Sequence, residues 1–325
     1  MKLPRRRFLR LAAGAAVLPA AARFAKAETY PSRPVRIVVG SVPAAAPDVV
    51  ARVIAQWLSE RLGQNFVVEN RNGANGNLAV ENVVRAAPDG YTLLLISAGN
   101  AINTSLYERL NFDFTRDVAP VSGVVSFPMV ITVRAQFPAK TLPELLAYAK
   151  ANPGKLNLGT PPIGSPQDVA GELLKMQTGT NMVIVPYRGG PPAITDALGG
   201  QIDGVIGTVL LLIDFIRAEN LRALAVTGST PSELLPDVPT VASFVPNFEA
   251  SQWVGIGAPA NTPAPVIETL NREVNAGLAD PQVRKKLIDL GGTPLPGPQA
   301  QFGAFIVAET TKWGKVVKFA NLKPE

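Results

Sequence analysis

Three short stretches of small, mostly uncharged residues carry the binding chemistry that this sequence offers. They are Gly40-Ser41-Val42-Pro43-Ala44-Ala45-Ala46-Pro47-Asp48, Ser97-Ala98-Gly99-Asn100-Ala101-Ile102-Asn103-Thr104-Ser105 and Gly159-Thr160-Pro161-Pro162-Ile163-Gly164-Ser165-Pro166-Gln167. Each follows an apolar run that reads as a strand. A loop leading from a strand into a helix presents backbone N–H groups that the helix leaves free, and so makes a ready anion site. Taken singly, each stretch is adequately explained as a capped turn. Together they favour a site that holds an anion through amides and hydroxyls. One helix end contributes about 0.3–1 kcal/mol per charge, ~2 kcal/mol when partly buried, so several must converge to give useful affinity. A fourth segment, Tyr187-Arg188-Gly189-Gly190, follows another apolar run. Arg188 reads two ways, as a solvated surface arginine or as a cation offered to an anion at a strand end.

Catalytic and metal chemistries have little to work with. The 325 residues include no histidine and no cysteine, which removes the commonest general base, the commonest metal ligand and every thiolate. An enzyme built on this chain would rely on carboxylates, lysine or tyrosine. Gly255-x-Gly257-x-x-Ala260 resembles a dinucleotide fingerprint, but Pro259 interrupts it and no helix opens there. Asn111-x-Asp113-x-Thr115-x-Asp117 has the spacing of a calcium loop and fails at its sixth and twelfth positions, Arg116 and Ser122. Asp113 and Asp117 are better read as turn residues than as an acid/base pair.

The first 27 residues set the compartment. Lys2, the run Arg5-Arg6-Arg7-Phe8-Leu9-Arg10, an apolar stretch from Leu11 to Ala22 and the ending Ala25-Lys26-Ala27 follow the grammar of an export signal of the twin-arginine type, cleaved after Ala27. The apolar stretch is too short to span a bilayer. This segment also accounts for the charge. The whole chain carries 31 basic and 25 acidic residues, net +6, but seven of the basic ones and none of the acidic ones lie in residues 1–27, leaving 24 against 25. A nucleic-acid partner is therefore not expected.

The loops need elements to hold them, and the patterning supplies these. Val35–Val39, Phe66–Val68 and Tyr91–Ile96 read as strands, with helices over Asp48–Leu62 and Leu78–Ala86 between them. This β-α-β-α-β order predicts a parallel sheet covered by helices. The same rhythm returns with helices over Pro143–Lys150, Asp168–Gln177, Pro192–Leu198 and Leu210–Ala218. Strands over Lys155–Leu158, Met182–Val185 and Arg222–Thr227 alternate with them. After Trp253–Gly257 the chain closes in helices over Pro265–Leu278, Pro281–Leu290 and Gln299–Ala320. No internal repeat is visible. The 298 residues after Ala27 suffice for two α/β units with a cleft at the carboxyl ends of their strands.

A family resemblance enters on residues spread along the chain. They are Tyr30-Pro31-Ser32-Arg33-Pro34-Val35-Arg36-Ile37-Val38-Val39, Pro47-Asp48-Val49-Val50-Ala51-Arg52, Val68-Glu69-Asn70-Arg71 and Ala87-Pro88-Asp89-Gly90-Tyr91-Thr92-Leu93-Leu94. Further on come Ala151-Asn152-Pro153-Gly154-Lys155-Leu156-Asn157, Val185-Pro186-Tyr187-Arg188-Gly189, Leu221-Arg222-Ala223-Leu224-Ala225-Val226-Thr227 and Leu235-Pro236-Asp237-Val238-Pro239-Thr240. In this order the chain resembles the Bug (TctC-like) extracytoplasmic receptors of tripartite tricarboxylate transporters. The resemblance implies a periplasmic solute receptor with an α/β, two-domain periplasmic-binding-protein fold (Venus flytrap, type II-like) and a hinged cleft. Residues 28–125 with 250–325 would form one domain and 126–249 the other. The chain would cross near Val121–Val130 and return near Glu249–Val254.

The resemblance further implies a small organic acid as ligand and integral membrane transporter subunits as partners. The receptor would work as a monomer, with no cofactor, metal or catalytic residue. By loop position, the ligand residues expected from the first domain are the N–H groups of Ala44, Ala45 and Ala46, with Ser97, Asn100 and Asn103. From the second they are Thr160, Ser165, Gln167, Tyr187, Arg188 and Thr208. The chain departs from the family at Ala44-Ala45-Ala46-Pro47, where glycines and threonine are usual, at Asp168, where histidine is common, and at Gly207–Leu212, where polar residues give way to apolar ones. These changes favour a ligand with fewer carboxylates and more hydrocarbon than citrate. The rival functions are an exported carboxylate- or lysine-dependent hydrolase, a ligand sensor and a structural periplasmic protein.

Overall fold

The computed structural model describes residues 30–324. Strand β1 (Val35–Val39) buries Val35, Ile37, Val38 and Val39, the near-continuous apolar pattern of a strand covered on both faces. It pairs in parallel with β2 (Phe66–Asn70) and β3 (Thr92–Ser97). Helix α1 (Ala46–Leu62) connects β1 to β2 and carries Pro47 in its first turn. It stops at Gly63, whose φ of 69° lets its N–H return to the Ser59 carbonyl at 3.1 Å. Its inner stripe, Val50, Ile54 and Leu58, is fully buried, about 1.5–3 kcal/mol per side chain. Helix α2 (Asn77–Val84) crosses from β2 to β3.

Several elements escape the sequence pattern, among them Gly204–Thr208, Ala98–Leu106 and Val118–Arg134. Ala98–Leu106 forms helix α3, in a segment expected as loop because Asn, Ser, Thr and Gly populate it. Its start is fixed by Asn100, whose Oδ1 accepts from the Ser97 amide at 2.8 Å and the Ser97 hydroxyl at 3.3 Å. After the short turn α4 (Phe114–Asp117) comes β4 (Val118–Arg134), 17 residues long. Pro120, Gly123 and Pro128 hide it from a strand reading. The register shifts around Pro120/Ser122 and Gly123/Val125 absorb the first two of these interruptions.

This strand serves two sheets. Val118–Pro128 pairs antiparallel with β9 (Ser251–Pro259), which pairs antiparallel with β3; the two-residue β10 (Thr293–Pro294) adds to β4. The first sheet is therefore mixed, where the sequence predicts a parallel one. From Met129 the strand enters the second sheet, antiparallel to both β7 (Gly204–Thr208) and β8 (Leu221–Val226). There β5 (Asn157–Thr160) lies in parallel between β7 and β6 (Val183–Pro186). Helices α5 (Leu142–Ala151), α6 (Pro166–Thr178), α7 (Gly190–Leu198) and α8 (Val209–Arg217) belong to this second unit. At the changeover the Thr227 hydroxyl accepts from the Met129 amide at 2.9 Å and donates to the Met129 carbonyl at 3.2 Å.

The chain ends in α9 (Ala264–Ala279), α10 (Pro281–Asp289) and α11 (Gln299–Ala320). Helix α11 packs on α3, β4 and α6, so it touches both units. Its Glu309, 4% exposed, accepts from the indoles of Trp253 at 2.8 Å and Trp313 at 2.9 Å, both rings being fully buried. Lys312 pairs with the same carboxylate and also donates to Glu249 Oε2 at 2.9 Å. No helix among the described residues is long and apolar enough to cross a membrane. The expected export signal lies outside the described residues.

Candidate functional site

A cavity of about 210 Å³ opens at the carboxyl ends of β1 and β3. It is smaller than the roughly 300–1,000 Å³ of sites for drug-sized molecules, a size suited to a small solute. Four helix N-termini meet its wall: Pro47 of α1, Gly76 beside α2, Gly99 of α3 and Pro166 of α6. Gly40, Ser41, Gly73, Asn75, Ser97 and Asn100 complete one side, with Gln252 of β9 at the changeover between sheets. No lining residue is charged. Aligned peptide dipoles thus give the cavity a positive lining with no cation, although at α1 and α6 the lining residue is a proline without an N–H.

The expected residues divide. Ser97 and Asn100 line the cavity. Asn103 does not; it is fully buried behind the wall. Its amide donates to the Asn75 carbonyl at 3.0 Å and to Asn77 Oδ1 at 2.8 Å, and its oxygen accepts from Asn75 Nδ2 at 3.2 Å. It shapes the Gly73–Gly76 loop, in which four consecutive residues have positive φ (131°, 46°, 55° and 90°). That loop is a wall element the sequence reading left unassigned; its Gly and Asn content marks left-handed backbone but not where it points. Ser41 lies in the first of the candidate stretches, although it is not among the expected ligand residues. Its hydroxyl is buried without a partner among the described residues, at the cavity rim.

The amides of Ala44 and Ala45, expected to face a ligand, are engaged within their own loop. Ala44 N donates to Asp48 Oδ2 at 2.9 Å and Ala45 N to the Val42 carbonyl at 3.3 Å. Ala46, Thr160, Ser165, Gln167, Tyr187, Arg188 and Thr208 lie outside the cavity wall, and the second unit contributes Pro166 to it. Thr160 donates to Asp168 Oδ1 at 3.4 Å, and the Ser165 hydroxyl caps α6 by accepting from Asp168 N at 3.3 Å. Gln167 is buried in the first turn of α6. The Tyr187 phenol is tied to Asp196 at 2.8 Å. Arg188 is exposed, and Thr208 stands at the N-cap position of α8 without a side-chain bond to the helix. No group of three His, Cys, Asp or Glu side chains among the described residues is placed to hold a metal.

The two sides of the cleft share a loop design. On each, the third residue of a helix is a buried aspartate whose carboxylate reaches back to an amide four residues earlier, in left-handed backbone. Asp48 accepts from Ala44 (φ 64°) and Asp168 from Gly164 (φ 77°), each at 2.9 Å. Their surroundings differ one turn on. Arg52 grips Asp48 through two bonds of 2.9 and 3.0 Å, and Asn70 adds one of 2.9 Å. Burial pushes the Asp48 carboxyl up, but the Arg52, Ala44 and Asn70 bonds outweigh it and hold the group below its ordinary value. At the matching position Asp168 meets Glu172, 6% exposed and bonded to Lys175 at 2.9 Å. Here burial prevails, Glu172 adds to it, and the Asp168 carboxyl is pushed up to about 6.

Comparison with known proteins places this architecture. The family model for the tripartite tricarboxylate transporter family receptor matches residues 50–322. The chain belongs to that receptor family. It is 36% identical over 300 residues to Protein BugT of Bordetella pertussis, covering 91% of this chain and 92% of that one. Among solved structures, Rpa4515 of R. palustris with adipate is 32% identical with a TM-score of 0.76, covering 91% of this chain and all of the other. MatC of Rhodopseudomonas palustris with bound malate is 31% identical with a TM-score of 0.72, covering 89% and 100%. The fold is thus the two-domain α/β fold of the family's periplasmic solute receptors.

Proposed function

We propose that this receptor captures a small organic acid in the cleft between its two units and delivers it to the membrane subunits of a tripartite transporter. The observation that carries this reading is the cavity itself: four helix N-termini converge on a wall with no charged side chain. Such a wall holds an anion through oriented dipoles and hydroxyls, at low desolvation cost to the protein. Two relatives of similar architecture hold adipate and malate, both small carboxylates.

In the same proposal, residues 28–125 with 250–325 move as one body and 126–249 as the other, hinged where β4 and the chain entering β9 pass between the sheets. Closure brings Thr160, Ser165, Gln167, Tyr187, Arg188 and Thr208 toward a ligand already seated on Ser97, Asn100 and Ser41. The ligand then shifts the open–closed balance by its preference for the closed form. Export through the twin-arginine route, cleavage after Ala27 and action as a periplasmic monomer complete the proposal. The test is native mass spectrometry of the processed protein as purified, followed by a thermal-shift panel of mono-, di- and tricarboxylates. A bound or stabilising acid that is recovered unchanged supports the receptor. Stabilisation by no acid in the panel, or conversion of the acid, overturns it.

A further inference from the structure

The paired loops on the two sides of the cleft are alike in backbone and unlike in charge. Behind Pro47, Asp48 forms a closed pair with Arg52, so the α1 end presents its dipole to the cavity undiminished. Behind Pro166, Asp168 is 3% exposed, and its hydrogen-bond donors are the neutral Gly164 amide and Thr160 hydroxyl. Burial and Glu172 raise its carboxyl by more than Lys175, on the same helix, draws it down. Glu172 lies one turn along the same helix, and Lys175 is bonded to Glu172. The elements packed against α6 that belong to the sheets, β5, β6, β7 and β9, have no titratable side chain, and neither has α3. From α11, Glu309 and Lys312 pair with each other, and Lys315 and Lys318 are exposed. A carboxylate at the third position of a helix opposes the positive end of that helix. When ionised, Asp168 therefore cancels the attraction of the α6 end for an anion.

We propose that Asp168 makes the cleft one-sided, so that the preferred ligand is a monoanion: its carboxylate lies against the α1–α3 wall, and its far end, toward α6, is uncharged. This rests on the carboxylate-receptor reading above and adds the charge class of the solute. Asp168 acts as a specificity residue through the field it sets at Pro166, without touching the ligand. Its burial-raised proton affinity, near pH 6, adds a further consequence. Acidification neutralises it and restores the α6 dipole, so dianion affinity rises as pH falls toward 6.

The test compares two ligands of the same shape, adipate and its monoamide, adipamate, by calorimetric titration of the processed protein and its Asp168→Asn variant. Asparagine keeps an acceptor for the Gly164 amide and removes the charge. At pH 7.5 the parent should bind adipamate more tightly. The variant should gain affinity for adipate on the order of tenfold or more, as a unit charge about 10 Å away gives at an effective dielectric near 20, and for adipamate, whose one charge lies on the far wall, several-fold less. Between pH 7.5 and 6 adipate affinity should rise in the parent and stay flat in the variant. Glu172→Gln, a second and independent change, should move adipate affinity in the same direction by less. Equal gains for both ligands, or a parent that favours adipate and is indifferent to the substitution, overturn the proposal alone. Binding of neither ligand to either protein overturns it together with the carboxylate reading.

Discussion

Replacing Glu309 by alanine removes the one carboxylate that organises the contact between α11 and the changeover strands. Its Oε2 accepts from Trp253 at 2.8 Å and from Trp313 at 2.9 Å, and both indoles are fully buried. Alanine leaves both N–H groups without an acceptor, at about 1–3 kcal/mol each. Lys312 suffers less. It keeps Glu249 Oε2 at 2.9 Å and the Glu249 carbonyl at 3.0 Å, and its side chain is 25% exposed to water. The expected loss is therefore about 3–5 kcal/mol, the range for breaking a buried ionic network by deleting one member. Glutamine should cost less, about 1–3 kcal/mol, because its single oxygen serves either the indoles or Lys312 but not both. The assay is urea unfolding monitored by tryptophan fluorescence, with the midpoint and slope fitted separately. An alanine variant within about 0.5 kcal/mol of the parent would refute the view that Glu309 holds this junction.

Three further outcomes are expected. Ala44→Gly should stabilise the protein by about 0.5 kcal/mol, since φ is 64° there and relief of left-handed strain exceeds the entropy cost of glycine; a lowered urea midpoint contradicts this. Asn103→Ala should cost about 1–3 kcal/mol and weaken acid binding, by freeing the loop that Asn103 ties through Asn75 and Asn77; unchanged binding with lowered stability would separate the loop from the site. Asp168→Asn should stabilise the protein at pH 7.5 and hardly at all at pH 4. The native carboxyl is raised to about 6, so between pH 4 and 6 the folded state binds more protons than the unfolded one, and parental stability falls as pH rises through that window. Denaturant midpoints at the two pH values decide it, and a stabilisation independent of pH is the contrary result.

How much of this was legible in the residues varies with the kind of information each element needs. Helix α1 and strand β1 declare themselves through periodicity and through Pro47 and Gly63, and α9 to α11 do the same. Helix α3 does not, because its helical state depends on the Ser97–Asn100 cap and on packing against α11 more than on propensity. Strand β4 is broken in sequence by prolines and whole in space, since bulges take up the interruptions. At the site, polar loop composition pointed to Ser97 and Asn100, but it cannot tell a free amide from one engaged at home, as at Ala44. It also cannot show that Asn103 supports the wall from behind, or that Gly73–Gly76 bends into the cavity. The likeness of the Asp48 and Asp168 loops has no counterpart as a sequence repeat, because Ala44 and Gly164 share a backbone angle and not an identity.

The order of strands has a consequence for synthesis. In the first sheet β3 pairs with β9, and β4 separates them in the chain by passing into the second unit and ending at Arg134, while β9 begins only at Ser251. At a translation rate of about 5–20 residues per second, the intervening stretch takes roughly 6–25 s to appear. Throughout that interval the apolar edge of Thr92–Ser97 has no neighbour on one side, the condition under which nascent strands find partners in other chains. The second unit, whose last strand ends at Val226, can assemble meanwhile; the first must be sheltered until residues 250–325 arrive. A holding chaperone should therefore engage chains halted between residues 134 and 251 more strongly than chains halted after 320.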